Sequence, residues 1–225
     1  MTSPATACDV PIRRHDLAFP DAAGWRDVLS CRPDLGAVPL VAGWADEARP
    51  LVARRAHPAD APGVPLGLPL PPAWGKRRIA VVMPADGLVI TPPLCLSAAK
   101  EAAPLRWRPS LRAIGECAAD QGAEVRVFGS LAWQALTGLA YLTEQSDLDI
   151  LLHPGPDTDP LQLAAAIAGI DAAAPMRIDG ELVRSDGLAV NWRELNDGAR
   201  HVLAKSAAGV ALIDADHFTR KERVS

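Results

Sequence analysis

The apolar residues of the first part of the chain fall into short runs that are separated by turn-forming residues, a spacing that predicts short strands and a single helix. The strands are expected at residues 40–42, 51–53, 79–83 and 88–90, and the helix near residues 25–30. A dense band of prolines from Pro58 to Pro72 favours extended and turn structure over helix. We therefore expect a small strand-rich domain over residues 1–93.

From residue 94 onward, helical patterns rich in alanine and leucine alternate with compact strands. The predicted elements are a helix capped by Ser110, strands at residues 124–128 and 147–152, helices at residues 131–136 and 161–170, and a hairpin of residues 176–183 and 188–192. Such alternation is typical of an α/β or α+β domain. We treat residues 94–225 as this second domain.

Composition and charge narrow the function classes. Apolar residues make up 49% of the 225 positions and charged residues 22%, which indicates a folded globular protein. The formal net charge is −4, and the longest basic run is only Lys76-Arg77-Arg78. Because binding to a nucleic-acid polymer depends on positive charge, we expect no such partner.

The amino terminus and the cysteines indicate the compartment. Residues 1–9 lack the basic and apolar regions of a signal peptide, and no apolar run is long enough to span a membrane. Four scattered cysteines, Cys8, Cys31, Cys95 and Cys117, have no metal-binding spacing and are interpreted as reduced thiols. We expect a cytoplasmic protein without a membrane partner.

Two aspartates in a predicted strand are the first candidates for chemistry. Asp147 and Asp149 are two positions apart, so both side chains lie on one face of the strand, roughly 6–7 Å apart at Cα. Paired carboxylates of this kind bind one or two Mg²⁺ ions that bridge substrate phosphates. The alternative is the solvated face of an edge strand.

A Gly-Ser turn lies upstream, between a predicted strand and a predicted helix. Backbone N–H groups at the start of a helix bind anions, and Gly129 lets the backbone approach a phosphate closely. Ser130 would cap the helix and offer its hydroxyl to the same ligand. An ordinary capped helix is the alternative, but the two motifs in this order together predict a phosphate and metal site.

The combined pattern resembles the nucleotidyltransferase fold, although Asp147 follows Ser130 by 17 positions, a longer interval than in minimal members of that fold. Residues 128–142 with Ser146-Asp147-Leu148-Asp149 resemble the malonate decarboxylase holo-acyl-carrier-protein synthases, also called phosphoribosyl-dephospho-CoA transferases, in which this interval is usual. Further stretches agree with that family: residues 14–17, 49–55, 67–78 and 192–194. The resemblance spans nearly the whole chain.

The resemblance implies an α+β protein whose second domain has the nucleotidyltransferase fold, with a mixed sheet and flanking helices. It also implies transfer of the phosphoribosyl-dephospho-CoA group from 2'-(5-triphosphoribosyl)-3'-dephospho-CoA to a serine of the malonate decarboxylase acyl carrier protein, with release of diphosphate. Mg²⁺ or Mn²⁺ would bind at Asp147 and Asp149, and Gly129 and Ser130 would hold phosphate oxygens.

A third carboxylate usually completes the metal site of this fold, and it often serves as the base near the attacking hydroxyl. We select Asp179, which faces outward next to the inward-facing Ile178. Glu181 shares the face of Asp179 and is the alternative. A turn or surface role is open for either residue.

Several other polar residues have two interpretations. Arg54, Arg55 and residues 76–78 would bind phosphate or an acidic carrier protein, or form a solvated surface. Residues 63–72 would form a rigid lid or a docking loop between domains. Lys205, on a segment read as helical, would reach a phosphate or lie on a solvated face. Trp192 is expected in the core.

Two other functions remain open at this point. One is a nucleotidyltransferase that uses an ordinary nucleoside triphosphate to modify a protein or a small molecule, with the same site residues. The other is a catalytically silent binding module that keeps the fold. Such a module would be expected to lack a metal carboxylate, whereas Asp147 and Asp149 are both present.

Overall fold

The computed structural model describes residues 12–207 and 209–220, and within them the strands form a five-stranded and a seven-stranded sheet. The first sheet contains β1 (Leu17–Pro20), β2 (Leu51–Ala53), β3 (Val64–Pro69), β4 (Arg78–Met83) and β5 (Leu88–Thr91). The second contains β6 (Leu94–Cys95), β7 (Ala123–Phe128), β8 (Leu148–Pro154), β9 (Ile178–Val183), β10 (Ala189–Asn191), β11 (His201–Lys205) and β12 (Val210–Asp214).

The helices lie mostly in the connections between these strands. They are α1 (Ala22–Cys31), α2 (Pro33–Gly36), α3 (Pro39–Ala42), α4 (Leu96–Ala99), α5 (Arg108–Asp120), α6 (Gly129–Thr137), α7 (Pro160–Ala173), α8 (Trp192–Asn196) and α9 (Ala215–Thr219). Short 3-10 helices occur at Pro72–Trp74, Ala85–Gly87, Lys100–Ala102 and Leu105–Trp107.

The first sheet has the order β4-β3-β2-β1-β5, and its neighbouring strands are antiparallel. The expected lid or loop at residues 63–72 is wrong over most of its length, because β3 occupies the middle of this segment. Val64, Leu66 and Leu68 are buried, while Pro65 and Pro69 alternate with them on the other face. The prolines favoured a loop in this segment, whereas its apolar residues alternate with period two, as in a strand.

The strand predicted at residues 40–42 is also wrong, since these residues belong to α3. Pro39 begins this helix, a position where the missing N–H of proline has no cost. Val41 is fully buried. A three-residue apolar run cannot distinguish a short helix from a strand, because it is shorter than one helical turn and shows no apolar-polar alternation.

The second sheet has the order β12-β11-β10-β9-β8-β7-β6 and is mixed. β8 and β9 are parallel, and the other neighbouring pairs are antiparallel. The antiparallel strands β7 and β8 are connected through α6, and the parallel strands β8 and β9 through α7. The predicted α+β class, with a mixed sheet and helices, is confirmed.

Three local predictions for the second part of the chain need correction. Ser110 is buried in the first turn of α5 and does not cap it, since the helix begins at Arg108. Ser130 does not cap α6 either, because the cap residue is Phe128 and the helix begins at Gly129. Lys205 ends strand β11 and is not on a helix. The hairpin of β9 and β10 is confirmed.

The two sheets share buried contacts. Trp133 on α6 and Tyr141 in the following loop belong to the apolar core of the first sheet. The Trp133 ring lies 6.4 Å from that of Trp44, and the Tyr141 hydroxyl donates to the Pro69 carbonyl at 2.9 Å. β5 ends at Thr91 and β6 begins at Leu94, while the division into two domains at residue 93 stays a prediction.

Three of the four cysteines lie in the described part of the chain. Cys31, Cys95 and Cys117 are free thiols. Cys8 and residues 1–9, on which the compartment was partly argued, lie outside the described residues. In the part of the chain that is described, no helix combines the length and the apolar character needed to cross a bilayer.

Candidate active site

A close approach between Gly129 and Asp149 forms the centre of the site. Gly129 follows β7 with φ +66°, a left-handed conformation that glycine adopts without cost. A Cβ atom at this position would overlap the carboxylate of Asp149. Glycine is therefore required here for two reasons, its backbone conformation and the space taken by Asp149.

Asp149 is held by strand pairing on both sides. It lies opposite Phe128 in the antiparallel pair of β7 and β8, and next to Asp179 in the parallel pair of β8 and β9. Its neighbours Leu148 and Ile150 are fully buried, as predicted from the alternation. Asp147 immediately precedes the strand.

The surroundings of Asp149 disfavour its charge. Burial raises the pKa of the Asp149 carboxyl to about 7, and the carboxylates of Asp179 and Asp147 act in the same direction. The positive charge of Arg78 and a hydrogen bond from the Ser130 backbone N–H oppose this shift of the pKa. Asp179 and Asp147 thus each lie close enough to Asp149 to disfavour its charge, and a bound cation would remove that repulsion.

The donor set suits a divalent cation such as Mg²⁺, because its members are carboxylate oxygens. Among the described residues, no group of three or more His, Cys, Asp or Glu side chains is arranged to hold a metal ion. A cation at Asp147 and Asp149 would therefore take its remaining ligands from phosphate oxygens and water, which is common for Mg²⁺. The carboxylates of Asp147 and Asp149 fit such a cation, and its binding stays a prediction.

The two candidates for the third carboxylate have different partners. Asp179 accepts hydrogen bonds from the Gly180 backbone N–H at 3.0 Å and from the Asn191 side-chain amide at 3.1 Å. Glu181 is only 5% exposed and forms ion pairs with Arg14 and, at 2.7 Å, with Lys205. Glu181 is therefore occupied by two cations, and the role of Asp179 stays a prediction.

The segment before β1 packs against the turn. His15 has φ +75°, unusual for a residue with a side chain, and its ring lies 4.2 Å from that of Phe128. Burial lowers the pKa of His15 to about 3, and the positive charges of Arg14, Lys205 and Arg78 contribute. His15 is therefore a neutral ring that supports the residue before Gly129.

Sequence reasoning assigned no site role to three neighbours of the carboxylates and left that of a fourth open. Arg14, His15 and Asn191 received none, and Arg78 was grouped with a basic run whose role was left open. Arg14 and His15 belong to a stretch that matched the family pattern, so that match was the available signal. Arg54, proposed for phosphate, instead forms two hydrogen bonds with Asp60 and donates to the Leu66 carbonyl.

Comparison with protein families covers both parts of the chain. The model of the phosphoribosyl-dephospho-CoA transferase MdcG C-terminal domain matches residues 94–216, and that of the N-terminal domain matches residues 13–90. The chain belongs to the phosphoribosyl-dephospho-CoA transferase family. The resemblance drawn from residues 128–149 is thus confirmed, and family membership makes the chain a transferase.

Curated relatives carry the same family name. A phosphoribosyl-dephospho-CoA transferase of Bradyrhizobium diazoefficiens is 46% identical over 219 residues, which are 97% of this chain and 97% of the relative. One from Xanthomonas axonopodis is 39% identical over 86% of this chain and 90% of its own length. One from Pseudomonas aeruginosa is 32% identical over 78% and 80%. No solved structure matches the chain.

Proposed function

We propose that this family member transfers the phosphoribosyl-dephospho-CoA group from 2'-(5-triphosphoribosyl)-3'-dephospho-CoA to a serine of the malonate decarboxylase acyl carrier protein. The observation that carries the proposal is the in-register pair Asp149 and Asp179 beside the Gly129 turn. Carboxylates beside a backbone turn suit a reaction in which phosphates bind together with a divalent cation. The name of the family, phosphoribosyl-dephospho-CoA transferase, supports the choice of the transferred group.

The reaction is a substitution at the α-phosphorus of the triphosphate. The serine oxygen forms a bond to this phosphorus, and the bond to the bridging oxygen of the β-phosphate breaks. Diphosphate leaves with that oxygen, and the product is a phosphodiester. The serine proton passes to a base, for which we assign the carboxylate of Asp179, because Asn191 and Gly180 hold it in place.

The remaining residues bind and neutralise phosphate. Asp147 and Asp149 would hold Mg²⁺ or Mn²⁺, and the cation, when bound, supplies charge neutralisation at the triphosphate. Gly129 lets phosphate oxygens approach the backbone, and Ser130 offers its hydroxyl. Arg78 is exposed near Asp149 and adds positive charge from the first sheet.

The test uses the full chain, the apo carrier protein, the triphosphoribosyl substrate and Mg²⁺. Mass spectrometry of the carrier protein is expected to show the mass of the phosphoribosyl-dephospho-CoA group on the wild-type carrier and none on a carrier whose acceptor serine is alanine. EDTA and Asp149→Asn are each expected to abolish the transfer.

A second reaction with ATP in place of the triphosphoribosyl substrate distinguishes the proposed function from that of an ordinary nucleotidyltransferase. Addition of AMP to the carrier protein, without transfer from the triphosphoribosyl compound, would contradict the proposal and favour an ordinary nucleotidyltransferase. If neither donor modifies the carrier but the chain binds the triphosphoribosyl compound, the silent binding module gains support.

A further inference from the structure

A cavity of about 320 Å³ lies where the first sheet meets Ser206 and Ala207, which follow β11. Its walls are formed by residues 12–14, 53–56, 63–65 and 206–207. The volume is at the lower end of the range of about 300–1,000 Å³ that is usual for small-molecule sites. Of the residues placed at or beside the carboxylate site, only Arg14, which pairs with Glu181, also lines the cavity.

The charge of the cavity wall is positive. Arg13, Arg14, Arg54 and Arg55 line it. Arg14 is paired with Glu181, and Arg54 with Asp60. Among the described residues, the Arg13 guanidinium donates a hydrogen bond only to the neutral Ser185 carbonyl. The Arg55 guanidinium has no hydrogen bond or ion pair with any described residue.

Carboxylates offset only part of this charge. The Asp16 carboxylate accepts the backbone N–H of Arg13 at 2.7 Å and lies near its guanidinium. Arg55 is exposed and has no carboxylate partner among the described residues. At least one guanidinium on the wall is thus available for an anionic ligand, and guanidinium groups bind phosphate oxygens in a bidentate geometry.

The other walls are apolar. Ile12, Val64 and Pro65 line the cavity together with alanines. An apolar wall beside the guanidinium groups of Arg55 and Arg13 suits a ligand that has both a flat, weakly polar ring and phosphates, as a nucleoside diphosphate does. Inorganic phosphate alone would leave the apolar wall without a partner.

The cavity is joined to the carboxylate site through Arg14. This residue lines the cavity and is paired with Glu181, which follows Asp179 by two positions on the same face of β9. Two positions along a strand span roughly 6–7 Å. The cavity therefore adjoins the carboxylates on the side of the first sheet.

The donor of the proposed reaction has phosphates in two places. One is the triphosphate, and the other is the diphosphate that joins adenosine to pantetheine in dephospho-CoA. We propose that the cavity binds the adenosine diphosphate portion of the donor, with Arg55 and Arg13 at the diphosphate. This inference rests on the proposed function, because it uses the chemistry of that donor.

Binding of 3'-dephospho-CoA without metal tests the cavity alone, measured by isothermal titration calorimetry. Arg55→Gln and Arg13→Gln are each expected to weaken binding about tenfold, the effect of losing one charge-assisted contact. Arg112→Gln, an exposed arginine on α5, is the matched control and is expected to leave the affinity unchanged. ADP is expected to compete and adenosine to compete poorly. Equal affinity of wild type and both cavity variants overturns the proposal.

Transfer kinetics separate this proposal from the proposed function. Arg55→Gln is expected to raise KM for the triphosphoribosyl donor about tenfold and to keep kcat. If the wild type transfers the group while KM and dephospho-CoA affinity are unchanged in Arg55→Gln, the cavity assignment is wrong and the proposed function stands. If the wild type transfers nothing but Arg55→Gln loses dephospho-CoA binding, the proposed function fails and the cavity assignment stands.

An acidic surface of the carrier protein is the other ligand that Arg55 would attract. Titration of the carrier protein into wild type and Arg55→Gln distinguishes the two. Weaker binding of the carrier with unchanged binding of dephospho-CoA would overturn the cavity proposal and assign Arg55 to carrier docking.

Discussion

Asp149 and Asp179 are directly in register on the parallel strands β8 and β9, so their carboxylates lie on the same face of the sheet. Each carboxylate has its own support. Asp149 lies against Gly129 and accepts a hydrogen bond from the Ser130 backbone N–H. Asp179 accepts a hydrogen bond from the Asn191 side-chain amide. The pair brings together two strands that are 30 positions apart in the sequence.

Asp179→Asn is expected to lower the transfer rate by about 100-fold or more, because an amide cannot accept the proton of the acceptor serine. The variant is expected to fold, since the amide oxygen still accepts from Asn191. The rate is measured as carrier modification per minute by mass spectrometry. Asp157→Asn, at an exposed aspartate after β8, is the control. A rate within threefold of the wild type for Asp179→Asn would remove Asp179 from the mechanism.

Glu181→Gln is expected to lower the stability of the folded chain. The change leaves Arg14 and Lys205 without a negative partner in a place where the glutamate side chain is 6% exposed. Because both cations are partly solvated, we expect a loss of about 1–3 kcal/mol in the free energy of unfolding. Urea unfolding followed by circular dichroism measures it.

The matched control for Glu181 is Glu124→Gln. Glu124 forms an ion pair with Arg126, but its side chain is 55% exposed. Exposed pairs contribute about 0–1 kcal/mol, so this variant is expected to be close to the wild type. Equal stability of the two variants would mean that the contacts of Glu181 add nothing beyond a surface pair.

Gly129→Ala is expected to abolish transfer and to lower stability by more than about 2 kcal/mol, since a Cβ atom overlaps the Asp149 carboxylate in addition to the backbone strain. Gly138→Ala separates the two effects. Gly138 has φ +69°, but a Cβ atom there meets nothing within 4 Å. This control is expected to cost only about 1–2 kcal/mol and to keep activity. Thermal unfolding and the transfer assay measure both, and similar results for the two variants would contradict the role of the close approach.

His15 is expected to make stability dependent on pH. Its pKa is about 3 in the folded chain and 6.5 in the unfolded one, so the unfolded chain binds a proton that the folded chain excludes. This contribution to stability is complete above pH 6.5 and is lost as the pH falls toward 3. At pH 5 the loss is about 2 kcal/mol relative to neutral pH.

His15→Asn tests this dependence, because asparagine tolerates the positive φ better than most residues and does not titrate. The free energy of unfolding of this variant is expected to fall less between pH 7 and pH 5 than that of the wild type. Asp149, with a pKa of about 7, acts in the opposite direction in both proteins and cancels in the comparison. His201→Asn, an exposed position, is the control. Parallel pH profiles for His15→Asn and the wild type would show that His15 is not buried as a neutral ring.

The predictions that held depend on neighbours in the sequence. β7, β8 and the hairpin of β9 and β10 follow from alternation over a few residues, and so do the buried Leu148 and Ile150. Trp192 is 1% exposed, as expected of a core residue. The local sequence pattern predicted the wrong element in two places. In β3 prolines interrupt the alternation, and in α3 the apolar run is too short.

The sequence alone determined the motif and the family. Gly129-Ser130 and Asp147-Leu148-Asp149 are short patterns whose chemistry depends on spacing within one segment, and the family match follows from the order of such patterns along the chain. Only the tertiary structure decided which side chains surround them. Arg14 reaches Glu181 across 167 positions, and this contact left Asp179 as the carboxylate beside Asp149. Pairing between distant strands and burial of charge depend on packing, which no local pattern specifies.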